Sequence, residues 1–351
     1  MIWFNSDYSE GAHPEVLRKL TETNMEQTPG YGEDVYCMQA AGLIQKACGR
    51  NDVDIQFLVG GTQTNTTVIA AALRPFQGVI TAASGHINNH ESGAIEATGH
   101  KVIALPGTDG KLTAAQIADY VDWQANDESV EHIVQPKMVY ISHPTELGTL
   151  YSKEELTKIS KVCREREVWL YLDGARLGYG LASRENDLTL PDLAQLCDVF
   201  YIGGTKVGAL FGEAVVIVAE ELKKDFRYNM KQRGGRLAKG RLLGVQFAAL
   251  FEDDLYFKIS KHAAGLAEQI KEAFERMGLH RFIDSPTNQQ FVVLPDSICK
   301  KLREKFEYEY WQRMDETHSA VRFCTSWATK EEHVQALIEE LERLLAEEER
   351  N

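Results

Sequence analysis

No stretch of this chain is apolar for anything near the ~20 residues a membrane-spanning helix needs, so no membrane partner is expected. Paired cysteines are missing too. The six cysteines, at 37, 48, 163, 197, 299 and 324, form no Cys-x-x-Cys, which removes zinc-ribbon and thiol-redox readings and points to a reducing, cytoplasmic setting. Positive charge is scarce: 38 Lys and Arg face 52 Asp and Glu, a formal net charge of −14, which argues against nucleic acid or an anionic bilayer as the main partner. The first residues, Met1 to Asp7, lack the basic start and long apolar stretch of a signal peptide. The glycines at 60–61 fit neither Walker A nor G-x-G-x-x-G, and no His-Glu-x-x-His is present.

What the 351 residues do contain is alternation. Strands are expected at 54–59, 78–83, 101–105, 137–142, 169–173, 199–202 and 213–218, with helices at 35–48, 61–73, 88–98, 113–124 and 152–166. Ser152 followed three residues later by Glu155 is a capping box. This pattern predicts an α/β protein with a mostly parallel seven-stranded sheet covered by helices on both faces. Beyond about residue 225 the pattern changes. Helices are expected at 237–251, 256–277 and 296–306, strands at 289–294, 308–312 and 320–325, and a last helix at 330–349. The expected division is an N-terminal arm (1–14), a large domain (15–245) and a small C-terminal α+β domain (246–351).

Two strands end in charge: Trp169 to Asp173, followed by Gly174-Ala175-Arg176, and Val199 to Gly203, followed by Gly204-Thr205-Lys206. Ligands of open α/β sheets bind beyond the carboxyl ends of strands, which would place Asp173, Arg176 and Lys206 in one crevice. Buried charge at neighbouring strand ends is costly unless it is paired or used. A lysine, a carboxylate and a guanidinium together suit pyridoxal phosphate chemistry: covalent attachment, a partner for the pyridine nitrogen and a grip on an amino-acid carboxylate. Gly61 and Thr62 lie between a strand and a helix, where unpaired N–H groups can hold a phosphate. His86, with His90 and Glu91 nearby, follows a strand on the crevice side and could stack on a pyridine ring; no metal site is expected there. Arg322, flanked by apolar residues, is either a structural ion pair or a carboxylate ligand. The plainer reading of all these charges is a non-catalytic α/β protein.

Taken in order, Ser6-Asp7, Gly32-Glu33-Asp34-Val35-Tyr36, Gly61-Thr62-Gln63-Thr64-Asn65, His86 with Glu91, Asp173-Gly174-Ala175-Arg176, Thr205-Lys206, Gly234-Gly235 and Val321-Arg322 resemble the threonine aldolases of the β-eliminating lyase group. The resemblance covers nearly the whole chain and implies the aspartate-aminotransferase-like fold type I of pyridoxal 5′-phosphate enzymes. It implies that Lys206 carries the cofactor, Asp173 binds its ring nitrogen, His86 stacks on the ring, and Gly61, Thr62 and Thr205 bind the phosphate. Ser6, Arg176 and Arg322 would hold the substrate carboxylate. Glu146 stands where many members have a histidine, which leaves His86, Glu146 or a bound water as the base. The implied reaction cleaves L-threonine or L-allo-threonine to glycine and an aldehyde; the alternative is a related lyase acting on another β-substituted amino acid. The implied assembly is a homodimer or homotetramer with shared active sites.

Overall fold

A computed structural model describes residues 1–348 and 350. After a two-residue strand in the arm, β1 (Ile2–Trp3), come β2 (Asp54–Leu58), β3 (Gln77–Ala82), β4 (Lys101–Leu105), β5 (Gln135–Ser142), β6 (Trp169–Asp173), β7 (Val199–Gly203) and β8 (Glu213–Ile217). The last seven form one sheet in the order β2-β8-β7-β6-β5-β3-β4. β7, β6, β5, β3 and β4 run parallel, while β8 is antiparallel to both of its neighbours. Alternating residues feed different cores: Leu170, Leu172, Phe200 and Ile202 join one, Tyr171, Val199 and Tyr201 the other. That alternation is the period-2 rule applied to strands covered on both faces.

The helix Lys153–Glu165 carries the anticipated capping box, Ser152 and Glu155 each bonding the other's backbone N–H. Such a cap contributes about 1 kcal/mol. The expected helix at 88–98 is broken instead. A single turn, His86–Asn89, and a 3₁₀ turn, Glu96–Thr98, flank Ser92 and Gly93, whose φ values of 52° and 71° lie in the left-handed region and cannot continue a helix. The helix expected from 237 starts only at Arg241, and helices at Phe226–Gln232, Leu177–Leu181 and Leu190–Leu196 were not anticipated.

Strands β9 (Arg281–Ile283), β10 (Gln289–Pro295), β11 (Phe306–Glu307), β12 (Glu309–Arg313) and β13 (His318–Cys324) follow. Four of them make an antiparallel sheet in the order β12-β13-β10-β9, and β11 pairs in parallel with β1. The helix Leu255–Arg276 joins the two halves: Ile259 and Ala263 pack in the large core, Leu266, Ile270 and Phe274 in the second. Phe4 is fully buried in that second core, and its carbonyl accepts from the Cys324 N–H at 2.7 Å. The arm is thereby pinned beside β13, which brings residues 5–8 towards the ends of the central strands.

Gly174 lets β6 and β7 end side by side. A Cβ on it would lie 1.9 Å from the Tyr201 carbonyl oxygen and 3.1 Å from the Leu177 Cβ. Backbone cannot move aside as a side chain can, so Gly174→Ala should cost about 3 kcal/mol, at the upper end of overpacking. Its urea midpoint should drop clearly below wild type; an unchanged midpoint would refute the close approach.

Candidate active site

The carboxyl ends of β5, β6 and β7 open into a cavity of about 510 Å³, and Asp173, Arg176, Lys206, Gly61, Thr62 and His86 all line it. The register explains part of this convergence, since Ser142 of β5 lies opposite Asp173 of β6. Thr205, Glu146 and Arg322 also reach the wall. Ser6 is not among the lining residues; its hydroxyl pairs with Ser9 at 2.9 Å, and the arm sends Tyr8 into the cavity instead.

Asp173 is 4 % exposed and receives four donors. The Tyr140 hydroxyl donates to Oδ2 at 2.5 Å and the Tyr201 hydroxyl to Oδ1 at 2.6 Å, with Asn65 Nδ2 at 3.3 Å and the Ala175 N–H at 3.0 Å. The strand alternation that places Tyr201 and Tyr171 in one core aims these phenols at the helix Gly61–Ala72, where Asn65 accepts from Tyr171 at 2.6 Å. Asn65 in turn donates to Glu91 Oε1 at 2.7 Å, and His86 Nδ1 lies 2.8 Å from the same oxygen. A connected buried network of this kind fixes the direction of each member. Burial pulls the His86 imidazole down, but the bond to Glu91 and the charge of Asp173 outweigh it, so its pKa lies above 6.5.

Lys206 follows β7 by three residues. Burial, then the Arg176 charge, pulls its amine below 10.5, against the opposing pull of Asp7, Asp173 and Glu213. Beside it, the Thr205 hydroxyl donates to Glu213 Oε1 at 2.8 Å and accepts from the Gly212 N–H at 3.0 Å. Glu213 also accepts from the Gly204 N–H at 3.0 Å, and burial pushes its carboxyl up to about 8. The loop carrying Lys206 is thus tied at both ends to the start of β8.

On the opposite wall, Glu146 Oε1 accepts from the Ser142 hydroxyl at 2.7 Å and from the His86 N–H at 3.0 Å. Burial raises its pKa above 4.5, and Asp173 adds to the rise. His143, three residues earlier, is fully buried, and burial lowers its imidazole to about 4. Within this loop it is therefore Glu146 that faces the cavity.

Both cavity arginines hold carboxylates of the chain. Arg176 donates to Asp7 through Nε at 2.6 Å and through a terminal nitrogen at 3.1 Å. Burial raises the Asp7 carboxyl, but Arg176, Lys206 and the Asn288 amide outweigh it and bring it down to about 2. Arg322 pairs with Glu309, donates to Gln289 Oε1 at 2.8 Å and lies 5.5 Å from the centre of the Trp311 ring. Asp7, Glu213, Glu309, Tyr140, Tyr201 and Asn65 escaped the sequence reading as site residues. The adjacency of Asp7 to Ser6 was a usable signal; the others announce themselves only across strands.

Pyridoxal phosphate fits this donor set. Gly60 precedes the twelve-residue helix Gly61–Ala72 without any side-chain cap, so the first N–H groups are open to a phosphate. A Cβ on Gly61 would come within 3.2 Å of the Tyr201 hydroxyl, a tight contact, so glycine leaves that edge of the cradle open. A buried carboxylate and an amine with lowered pKa stand on the same cavity, the groups needed for a pyridine nitrogen and an aldehyde carbon.

Comparison with known proteins agrees with this chemistry. The family model described as beta-eliminating lyase matches residues 4–297. The low specificity L-threonine aldolase of Pseudomonas aeruginosa is 28 % identical over 341 residues, covering 96 % of both chains. That of Saccharomyces cerevisiae is 24 % identical, covering 81 % of this chain and 74 % of its own. A solved structure of Leishmania major threonine aldolase superposes with a TM-score of 0.95 at 44 % identity, covering 98 % of this chain and all of that one. Aspartate aminotransferase from Thermus thermophilus, at 13 % identity and a TM-score of 0.70 over 98 % of this chain and 91 % of its own, shares the fold.

Proposed function

Because the chain belongs to the β-eliminating lyase family, among its threonine aldolases, we propose that it is a pyridoxal 5′-phosphate-dependent aldehyde-lyase cleaving L-threonine or L-allo-threonine to glycine and acetaldehyde. The observation that carries this reading is one cavity shared by Lys206, Asp173, the open helix end at Gly61 and the raised carboxyl of Glu146. The alternative, a lyase for another β-substituted amino acid, is not favoured by the relatives found.

When bound, pyridoxal phosphate supplies the electron sink that breaking a Cα–Cβ bond requires. Lys206 offers an amine whose lowered pKa leaves more of it uncharged and nucleophilic at neutral pH. Asp173, fixed by its four donors, would hold the ring nitrogen, and His86, oriented by Glu91, would lie against the ring. Gly61, Thr62 and Thr205 would hold the phosphate, with the Thr205 hydroxyl oriented by Glu213. Arg322, and Arg176 through the terminal nitrogen not bonded to Asp7, would receive the substrate's carboxylate. Glu146 would take the proton of the substrate's β-hydroxyl as the Cα–Cβ bond breaks and the aldehyde leaves, and a proton returned to Cα would complete glycine.

The test is acetaldehyde release by purified holoenzyme from L-threonine and L-allo-threonine, read against pH. Glu146 must be deprotonated to act, so activity should rise with pH through a pKa above the ordinary carboxylate range. Glu146→Gln should lower kcat by roughly 10²-fold or more and flatten that limb. No acetaldehyde from an enzyme shown to hold its cofactor would sink the reading.

We further propose a homodimer or homotetramer with shared active sites. Support comes from a groove whose rim exposes Tyr31 and Met38, with Val35 also exposed nearby, apolar surface that a second copy could cover. A solution mass of one chain would refute it. All six cysteines are free, which suits a cytoplasmic setting; a disulfide in the native protein would count against that.

A further inference from the structure

The two arginine–carboxylate pairs of the cavity are built differently. Asp7 is fully buried and gripped by Arg176 and by Asn288, whose amide donates at 2.9 Å. Removing it would leave a guanidinium and an amide unpaired in the interior, a strongly unfavourable change. Glu309 is different. Its side chain is 45 % exposed, and it sits on β12, the edge of its sheet, where the register with β13 shifts between Tyr310 and Gln312. Among the described residues its carboxylate hydrogen-bonds to Arg322 alone, its cross-strand neighbour in register.

Arg322, by contrast, is fixed. It is 7 % exposed, anchored by Gln289 Oε1 at 2.8 Å and the Asn5 carbonyl at 3.3 Å, and flanked by the Trp311 ring. Its Nε and the Nε2 of Gln289 are buried without partners, so its only direct carboxylate counter-ion among the described residues is Glu309. A rigid, enclosed guanidinium facing a carboxylate on a half-exposed edge strand is an arrangement in which one carboxylate can replace another at little cost to the fold.

We propose that Glu309 is a built-in stand-in for the substrate's carboxylate: it neutralises Arg322 in the free enzyme and is displaced when the carboxylate of an α-amino acid binds. This rests on the reading of the cavity as an amino-acid site. The substrate then gains only the difference between its own bond to Arg322 and that of Glu309, so Glu309 sets KM upward while leaving the bond-breaking groups, Lys206, Asp173 and Glu146, untouched. Between substrates it keeps a buried positive charge compensated, which an empty site needs for stability.

The test measures glycine binding to the holoenzyme by calorimetry, and separately KM and kcat with L-threonine, in wild type, Glu309→Gln and Glu309→Asp. Glutamine removes the charge; aspartate keeps it but withdraws it from Arg322. In both variants the glycine Kd should fall about three- to tenfold, KM should fall in parallel, and kcat should change far less. Glu307→Gln, which removes an exposed partner of Arg303, should leave the glycine Kd unchanged. An unchanged or weakened glycine affinity in the Glu309 variants would mean that Glu309 merely orients Arg322, and would overturn the proposal. So would a wild-type enzyme that binds no glycine. Acetaldehyde release decides the threonine reading independently: an enzyme that binds glycine more tightly without Glu309 yet leaves L-threonine intact keeps this inference and loses that one.

Discussion

Lys206→Ala is expected to leave a folded protein with no covalently held cofactor and with turnover of L-threonine reduced by at least roughly 10³-fold, as for other lost nucleophiles. The surroundings of the amine set this expectation. Burial and Arg176 depress its pKa, while Asp7, Asp173 and Glu213 pull the other way, so charged and neutral forms lie closer together than for a surface lysine. Its Nζ is 5.9 Å from the centre of the Tyr8 ring, and its carbonyl accepts from the Tyr179 hydroxyl at 2.5 Å, so backbone and head group are both placed. No other lysine lines the cavity among the described residues, and none could take over the attachment. Borohydride reduction followed by mass measurement should add one cofactor to the wild type and none to the variant. Lys206→Arg, which keeps a cation but cannot attach, should behave the same way. A visible chromophore and undiminished turnover in either variant would show that attachment lies elsewhere.

Asp173→Asn should spare the attachment and damage the chemistry. All four groups on this carboxylate are donors, two of them phenols at 2.5 and 2.6 Å, so an amide nitrogen placed there meets hydroxyls that must turn away. A neutral amide also lacks the charge that would keep a ring nitrogen protonated. The expected loss in kcat is roughly 10²–10³-fold, the usual scale for removing one well-placed electrostatic group. KM should move little, because the arginines proposed to receive the substrate carboxylate are untouched. Tyr201→Phe, which removes one donor and keeps the charge, should fall between, at about tenfold. The measurement is kcat and KM on cofactor-saturated enzyme, with bound cofactor quantified at the same time. A variant retaining more than half of wild-type kcat would show that Asp173 serves the fold and not the ring.

The sequence was most informative where a local rule suffices. Alternating apolar runs gave the seven strands, and the pair Ser152 and Glu155 gave the start of a helix almost to the residue. It was least informative where a backbone feature overrules periodicity. The stretch 88–98 has helical spacing, yet Ser92 and Gly93 take left-handed conformations and break it, and Glu91 is thereby turned inward to His86 and Asn65. The helix Leu190–Leu196 was missed although Thr189 caps it and Pro191 sits in its first turn, because it is too short for its period to show.

By itself the sequence determined the order of strands along the chain, the charges at the ends of two of them, and Lys206 and Asp173 as the residues a carbonyl cofactor would use. Periodicity says which face a side chain takes; it does not say what stands opposite. Tertiary structure alone decided which groups meet the charged residues of the cavity: Asp7 meets Arg176 across 169 residues, Tyr201 meets Asp173 across 28, and Glu309 reaches Arg322 through strand pairing. It also decided that Glu146, and not the buried His143, lines the cavity, and that one arginine is locked to its carboxylate while the other holds one at a half-exposed edge. These are choices of burial and register between distant segments, and no local pattern encodes them.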